Sequence, residues 1–210
     1  MHLRTILRES AQVVAPQLLG ALVESDVDPG RVVARIVEVE AYGGVGDDPG
    51  SHAFRGQTPR NSTMFADAGL AYVYFTYGMH WCMNVTTGPA GVAGAVLIRA
   101  AHVESGLDIA RTRRPGSADR DLARGPARLT KALGIDGRHD GVDLLATTSP
   151  VRLRLGKAAN SWEASPRTGV GGDGALTAWR YFLPGEPAVS PYRAHQTKSG
   201  SARMSRLTRE

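Results

Sequence analysis

Val32-Val33-Ala34-Arg35-Ile36-Val37-Glu38-Val39-Glu40-Ala41-Tyr42 is dominated by β-branched and small residues. Such side chains crowd a helix at Cβ but pack well on a pleated surface, which predicts a strand over 31–42. Residues two apart on a strand share a face, so Glu38 and Glu40 are expected on one side and Val37 and Val39 on the other. Two glutamates on one face fit an exposed polar stripe, and they equally fit carboxylates lining a site. The next segment favours a site, because Ser51-His52-Ala53-Phe54-Arg55-Gly56-Gln57-Thr58-Pro59-Arg60-Asn61 concentrates hydrogen-bonding groups where a site-forming loop would sit.

Working outward from that strand, Asp26 to Gly30 reads as a turn, and Ser10 as the cap of a short helix carrying Val13, Val14, Leu18 and Leu19, limited by Pro16. The polar, Gly- and Pro-rich stretch from Gly43 to Asn61 predicts an ordered loop. Leu70–Tyr77 and His80–Thr86 are strand-like around Gly78-Met79, which predicts a β-hairpin with Gly78 near its tip. Ala93–Ala100 reads as a further strand and Arg111–Asp121 as an exposed loop. Pro126 suits a first helical turn and Gly134 a helix end, so 126–133 is expected to be helical. Short strands mixed with few helices predict an α+β fold with a largely antiparallel sheet. Internal repeats and heptads are absent.

The 210 residues, 42% hydrophobic, suffice for one substantial core. No apolar run approaches the ~20 residues of a membrane-spanning helix, and the start Met1-His2-Leu3-Arg4-Thr5-Ile6-Leu7-Arg8 lacks the features of a signal peptide. Cys82 is the sole cysteine, which excludes an internal disulfide and a multi-cysteine metal site and fits a reducing, cytoplasmic setting. The net charge of +5 and pI near 9.7 suit a polyanionic partner without specifying one. Arg111, Arg113, Arg114, Arg120, Arg124, Arg128 and Lys131 cluster in one segment, and Arg193, Lys198, Arg203, Arg206 and Arg209 in the last. Both clusters fit a solvated surface, and the first also fits a phosphate-tracking face. The chain from Ala194 onward is expected to be disordered.

Tyr72 and Tyr74 share a strand face, and Tyr77 stands beside the hairpin glycine. Tyrosines within strands are usually core residues, whereas a large aromatic at a hairpin tip also fits a wedge between base pairs.

Arg35-Ile36-Val37-Glu38-Val39-Glu40-Ala41-Tyr42 resembles the start of the catalytic region of the alkyladenine (3-methyladenine) DNA glycosylase family. The resemblance continues through Gln57-Thr58-Pro59-Arg60-Asn61 and Met64-Phe65, and is strongest in Tyr72-Val73-Tyr74 with Tyr77-Gly78-Met79-His80-Trp81-Cys82-Met83-Asn84. Leu97-Ile98-Arg99-Ala100, Gly125-Pro126-Ala127-Arg128-Leu129, Ala132-Leu133-Gly134-Ile135 and Pro166-Arg167-Thr168-Gly169-Val170 follow in the family's order. It spans about Val13 to Ser190, so residues 1–190 are expected to form a single glycosylase domain and 191–210 a basic tail. For the fold it implies a curved antiparallel sheet with peripheral helices and a protruding DNA-intercalating β-hairpin.

For the site the resemblance implies Glu40 as the general base that activates water toward C1′ of a damaged nucleotide. An ordinary glutamate, pKa ~4.3, is ready for that role at neutral pH. It implies Arg99 as a second catalytic group, placing the water and the lesion phosphate, and a main-chain carbonyl near Thr168 as a further water contact. Tyr42, His52 and Tyr74 fall where the family sandwiches the flipped base, with Asn84 as a filter against the exocyclic amine of guanine. Tyr77 matches the residue that fills the vacated gap, and Met64 and Tyr72 match pocket support. A monofunctional glycosylase is implied, acting by base flipping on alkylated or deaminated purines in double-stranded DNA, as a monomer in the cytoplasm or on the nucleoid. Neither a metal nor a cofactor is expected. Arg111–Asp121 and Glu186 in Gly185-Glu186-Pro187 depart from the family pattern. A free-nucleoside hydrolase and a non-catalytic binder of damaged nucleic acid are the rival readings. The Tyr77 tip and basic segments weigh against the first, and retention of Glu40 and Arg99 against the second.

Overall fold

The computed structural model describes residues 3–196. In chain order its elements are α1 (Leu3–Leu7), α2 (Ala11–Gln17), β1 (Leu22–Ser25), β2 (Val32–Tyr42), β3 (Ala71–Thr76), β4 (His80–Thr86), β5 (Ala95–Ser105), α3 (Leu107–Arg113), α4 (Pro126–Leu133), β6 (Val151–Arg154), β7 (Glu163–Ser165) and β8 (Arg180–Phe182). One curled sheet runs β3-β4-β5-β2-β1-β6, and β8 joins β2 and carries β7. Every strand pairing is antiparallel. The fold is therefore the α+β single domain expected.

β2 and β5, eleven residues each, form the spine. Val32, Ala34, Ile36, Val39 and Ala41 of β2 and Val96, Ile98, Ala101 and Val103 of β5 face the main core, where α2 and α4 cover them with Val14, Ala15, Leu129 and Leu133. Full burial of the valines, leucines and isoleucines among them contributes roughly 1.5–3 kcal/mol each. Pro126 opens α4 and Gly134 ends it at φ 71°, as the sequence implied. The hairpin also forms: Tyr77 (φ 51°) and Gly78 (φ 66°) both take positive φ, the pair of signs found in type I′ turns. The Met79 N–H closes this turn on the Thr76 carbonyl at 3.2 Å.

Some readings need correction. Ser10 stands at the N-cap of α2 with extended backbone, but its side chain makes no capping bond, and Pro16 lies inside the helix. β5 begins at Ala95 and runs to Ser105, because Ala101 and Val103 still alternate into the core. The Arg111–Asp121 segment is not simply a loop. It starts within α3, and Arg111 is tied to Asp108 at 2.7 Å and Asp119 at 2.8 Å. β1, β6, β7 and β8 carried too few residues to stand out from their flanks.

Val37 also departs from expectation. Ile36 pairs with Ala101 and Glu38 with Ala100, which makes Val37 an extra residue on β2; Val39 pairs with Ile98, which makes Arg99 an extra residue on β5. The two bulges cancel in register, but each reverses the alternation of faces. Val37 therefore leaves the main core and packs with Ala100 and Ala188. Continued without a bulge, the phase of Ile36 would have aimed Glu38 and Glu40 into that core.

Candidate active site

The bulges bring Glu38, Glu40 and Arg99 together, all buried. Arg99 Nη1 donates to Glu40 Oε2 at 3.1 Å and Arg99 Nε to Glu38 Oε1 at 2.8 Å. The Tyr42 hydroxyl donates to the same Glu40 Oε2 at 2.9 Å, and the Thr168 N–H to Glu40 Oε1 at 2.6 Å. Glu40 Oε2 thus has both lone pairs engaged, while Oε1 keeps one for a further donor. Burial, then the charge of Glu40, raises the Tyr42 pKa well above the ordinary phenol value, so Tyr42 stays a neutral donor. The Thr168 contact formed here is through its N–H, whereas the resemblance implied a carbonyl facing water.

Beside this cluster, Tyr42, Gly50, His52, Met64, Tyr72, Tyr74 and Asn84 line an open cavity of about 340 Å³. Its ring-lined walls with one amide and one histidine suit a planar heterocycle. His52 and Tyr74 meet edge to face with ring centroids 4.6 Å apart, and Tyr72 and Tyr74 are 5.4 Å apart. The Tyr72 hydroxyl lies 2.9 Å from His52 Nδ1. Partial burial, then the charge of Arg60, lowers the His52 pKa below the ordinary imidazole value, so a neutral ring faces the cavity. Asn84 Nδ2 donates to the Tyr72 carbonyl at 3.0 Å, fixing the amide at the cavity wall.

The loop from Gly43 to Asn61 is ordered by its own side chains. Asp48 accepts from the N–H groups of Gly43 and Gly50, each at 2.9 Å. The Asn61 side chain bonds Thr58 N and the carbonyls of His52 and Gly56. A Cβ at Gly50 would stand 2.8 Å from Arg167 Nη2 and 2.7 Å from Val170 Cγ1, so glycine is required for that close approach.

The Tyr77 side chain projects at the hairpin tip, 87% exposed, and is the one non-glycine residue with positive φ among the described residues. That backbone region costs a non-glycine residue roughly 1–2 kcal/mol. A second groove, lined by Arg99, Arg124, Arg128, Thr168, Ser190 and Arg193, shares no lining residue with the aromatic cavity and adjoins the carboxylates through Arg99, Thr168 and Ser190. Much of the basic segment is engaged within the protein. Arg113 donates to the carbonyls of Val27, Asp28 and Ala132, Arg114 to those of Asp121 and Leu122, and Arg124 to that of Val189. Glu186 pairs with Arg35 at 3.1 Å.

Sequence reasoning did not assign roles to Glu38, Asp48, Arg167, Arg180 or Ser190. Glu38 carried a signal in its shared face with Glu40, and Arg167 lies in a quoted motif; Asp48, Arg180 and Ser190 carried none. Residues 191–196 run along the Thr168–Gly172 segment, where Arg193 O accepts from Gly169 N at 2.9 Å. The expected disorder of the rest, 197–210, lies outside the described residues. Among the described residues no group of three or more His, Cys, Asp or Glu is placed to hold a metal ion, and no helix is long and apolar enough to cross a membrane.

Residues 5–187 match the family model described as Methylpurine-DNA glycosylase (MPG). A protein of Leifsonia xyli subsp. xyli, provisionally named a 3-methyladenine DNA glycosylase, is 52% identical over 91% of this chain and 92% of its own length. Similarly named proteins of Streptomyces avermitilis and Nocardia farcinica are 48% and 49% identical, over 87% and 90% of this chain and the same shares of their own.

Proposed function

Because the chain belongs to the methylpurine-DNA glycosylase family, we propose that it is a hydrolase that releases 3-methyladenine, and related alkylated or deaminated purines, from double-stranded DNA. The observation that carries this reading is the position of Glu40 Oε2. Tyr42, which lines the aromatic cavity, and Arg99, which lines the basic groove, donate to that one oxygen. A carboxylate at the junction of a base-sized pocket and a phosphate-binding groove is where C1′ of an extruded nucleotide would lie.

In this mechanism the duplex docks on the groove through Arg128 and Arg193, and Tyr77 enters the stack as the damaged nucleotide swings out. Extrusion costs a few kcal/mol, least at damaged pairs, and the inserted aromatic ring offsets part of it. The base stacks between Tyr42, His52 and Tyr74, at ~1–3 kcal/mol per stacked base. A cationic alkylpurine gains further from the electron-rich tyrosine faces. Asn84 meets the exocyclic amine of an undamaged guanine and rejects it, while Met64 and Tyr72 hold the pocket walls. Water bound at the open lone pair of Glu40 Oε1, beside the Thr168 main chain, loses its proton to Glu40 as it attacks C1′. The negative charge also favours an oxocarbenium-like transition state. Alkylation at N3 or N7 makes the base its own good leaving group, whereas a neutral lesion such as hypoxanthine must take up a proton as it leaves. Because water is the nucleophile, the reaction ends in an abasic site without strand cleavage. Residues 1–190 act as one glycosylase domain in a monomer, with 191–210 as a basic extension, in the cytoplasm or on the nucleoid.

A panel of duplexes containing 3-methyladenine, 7-methylguanine, hypoxanthine or ethenoadenine, scored for released base, tests this proposal. Release of 3-methyladenine from duplex but not from the free nucleoside is expected. Nucleoside hydrolysis without action on duplex overturns it.

A further inference from the structure

Glu38 is the most heavily bonded side chain of the buried cluster and has no part in the mechanism above. Its Oε1 accepts from Arg99 Nε at 2.8 Å, Arg180 Nε at 2.7 Å and the Ser190 hydroxyl at 2.9 Å; its Oε2 accepts from Ser190 N at 2.7 Å. Arg180 also reaches the Ser190 carbonyl at 2.9 Å and the Ser165 hydroxyl at 3.0 Å. Glu38, Glu40, Arg99 and Arg180 are all nearly or wholly inaccessible, so the cluster holds two acids and two bases out of water. Burial works to raise the Glu38 pKa, but the charges of Arg99 and Arg180 outweigh it and hold the group below the ordinary carboxylate range.

We propose that Glu38, held by Arg180 and Ser190, is a positioning residue that turns Arg99 so that only one of its N–H groups reaches Glu40. A guanidinium facing a lone carboxylate prefers the two-pronged fork, which ties up both oxygens and stabilises the anion most. Here Nε is taken by Glu38 and Nη2 is turned to the Ser190 hydroxyl at 3.4 Å, so neither fork is open and Arg99 meets Glu40 through Nη1 alone. The opposed bulges at Val37 and Arg99 make this possible, since they put the guanidinium between the two carboxylates instead of opposite one. Glu38 also cancels the charge of Arg180, leaving Glu40 opposite a single uncompensated cation. The consequence for catalysis is a Glu40 carboxylate that is oriented by Arg99 yet remains a competent proton acceptor. The proposal rests on Glu40 being the base.

Around Glu40 stand Tyr42 and Glu38 on β2, Tyr74 on β3, Cys82 on β4, Arg99 on β5 and Arg167 in the loop before Thr168. Burial, foremost, pushes Tyr42, Tyr74 and Cys82 above their ordinary values. The groups whose charge decides the behaviour of Glu40 are therefore Glu38, the nearby arginines and Arg180.

The test is the pH profile of single-turnover base release, normalised to active sites, for Glu38→Gln, Glu38→Asp and Arg180→Gln. Glu38→Gln removes a negative charge and frees Arg99 to grip Glu40 more tightly. Its acid limb should move about one unit to lower pH, with the single-turnover rate at the plateau lower by at most about tenfold because the base is weaker. Arg180→Gln should move the limb the opposite way. Glu38→Asp, which keeps the charge, should leave it in place. Lesion-duplex affinity should change less than about threefold in each, since none of these residues lines the aromatic cavity. An acid limb unmoved in the folded Glu38→Gln and Arg180→Gln proteins, or moved equally in Glu38→Asp, overturns the proposal. If the wild type releases no base from duplex, it is the proposed function that fails.

Discussion

Arg167 and Asp48 meet through two hydrogen bonds of 2.6 Å, and neither side chain is exposed to solvent. The Arg167 guanidinium also caps the Tyr42 ring at 4.7 Å and the Trp179 ring at 5.1 Å, and donates to the Ala41 carbonyl at 2.9 Å. One buried cation thus fastens the Gly43–Asn61 loop to the end of β2. It fixes the ring that faces the cavity and sets the neighbouring Thr168 amide against Glu40.

Breaking that pair should be costly. Arg167→Met leaves Asp48 buried without its cation, and loss of one partner of a buried pair typically costs 3–5 kcal/mol. Urea unfolding of Arg167→Met should show that loss, and the double variant Asp48→Asn/Arg167→Met should recover part of it. A loss below about 1 kcal/mol in the single variant would mean the pair does not hold the loop.

Stability should also depend on acid pH with a definite sign. Burial works to raise Asp48, but its bonds to Arg167 and to the Gly43 and Gly50 N–H groups outweigh it, and Asp48, like Glu38, is held below the ordinary carboxylate range. Groups lowered in the folded state stabilise it above their unfolded pKa, and that stability is lost as pH falls through the folded values. Urea midpoints should decline modestly below about pH 6.5, where His52 takes a proton more readily in the unfolded chain, and fall steeply below about pH 4.5. Asp48→Asn should show a shallower fall. Equal slopes for wild type and variant would remove Asp48 from the linkage.

At the hairpin tip, stability and function should separate. Tyr77→Gly relieves the positive-φ strain while raising the entropy of the unfolded chain, so folding stability should stay within about 1 kcal/mol of wild type. Capture of the flipped nucleotide, read by 2-aminopurine fluorescence beside a lesion, should weaken by tenfold or more. Unchanged capture would leave the strained tyrosine without the wedge role.

Specificity should respond to Asn84. Shortening it to Ser opens the cavity wall where the exocyclic amine of guanine would fall. Release of undamaged guanine relative to 7-methylguanine should rise by about tenfold, the scale on which single pocket contacts discriminate. Competition between the two bases in one duplex measures it, and an unchanged ratio would place the filter elsewhere.

Much of this organisation could be read before the structure. The β2 strand, the hairpin around Gly78 and the Pro126–Gly134 helix rest on local propensities that nothing in the fold opposes. Of the residues resembling the family's pocket, Tyr72, Tyr74 and Asn84 line one cavity because alternation on β3 and β4 carries them there, and they are joined by Tyr42 at the end of β2 and His52 from the ordered loop. Local pattern fails where a partner distant in sequence decides. Val37 leaves the core because it is the extra residue of a bulge on β2, compensated by a bulge at Arg99 on β5, and period-two counting cannot foresee either. Arg180 and Ser190 look unremarkable along the chain and join the buried cluster only once β8 docks on β2. Arg113 and Arg114 read as surface charge, yet they bond main-chain carbonyls of neighbouring segments.

The account turns on Glu40 as the proton acceptor. Single-turnover release of 3-methyladenine from a duplex, measured beside the affinity of a non-hydrolysable lesion duplex, isolates that role in Glu40→Gln. Base release should fall about 10²–10⁴-fold while lesion-duplex affinity stays within roughly threefold of wild type. Release at the wild-type rate by the folded variant would contradict the account.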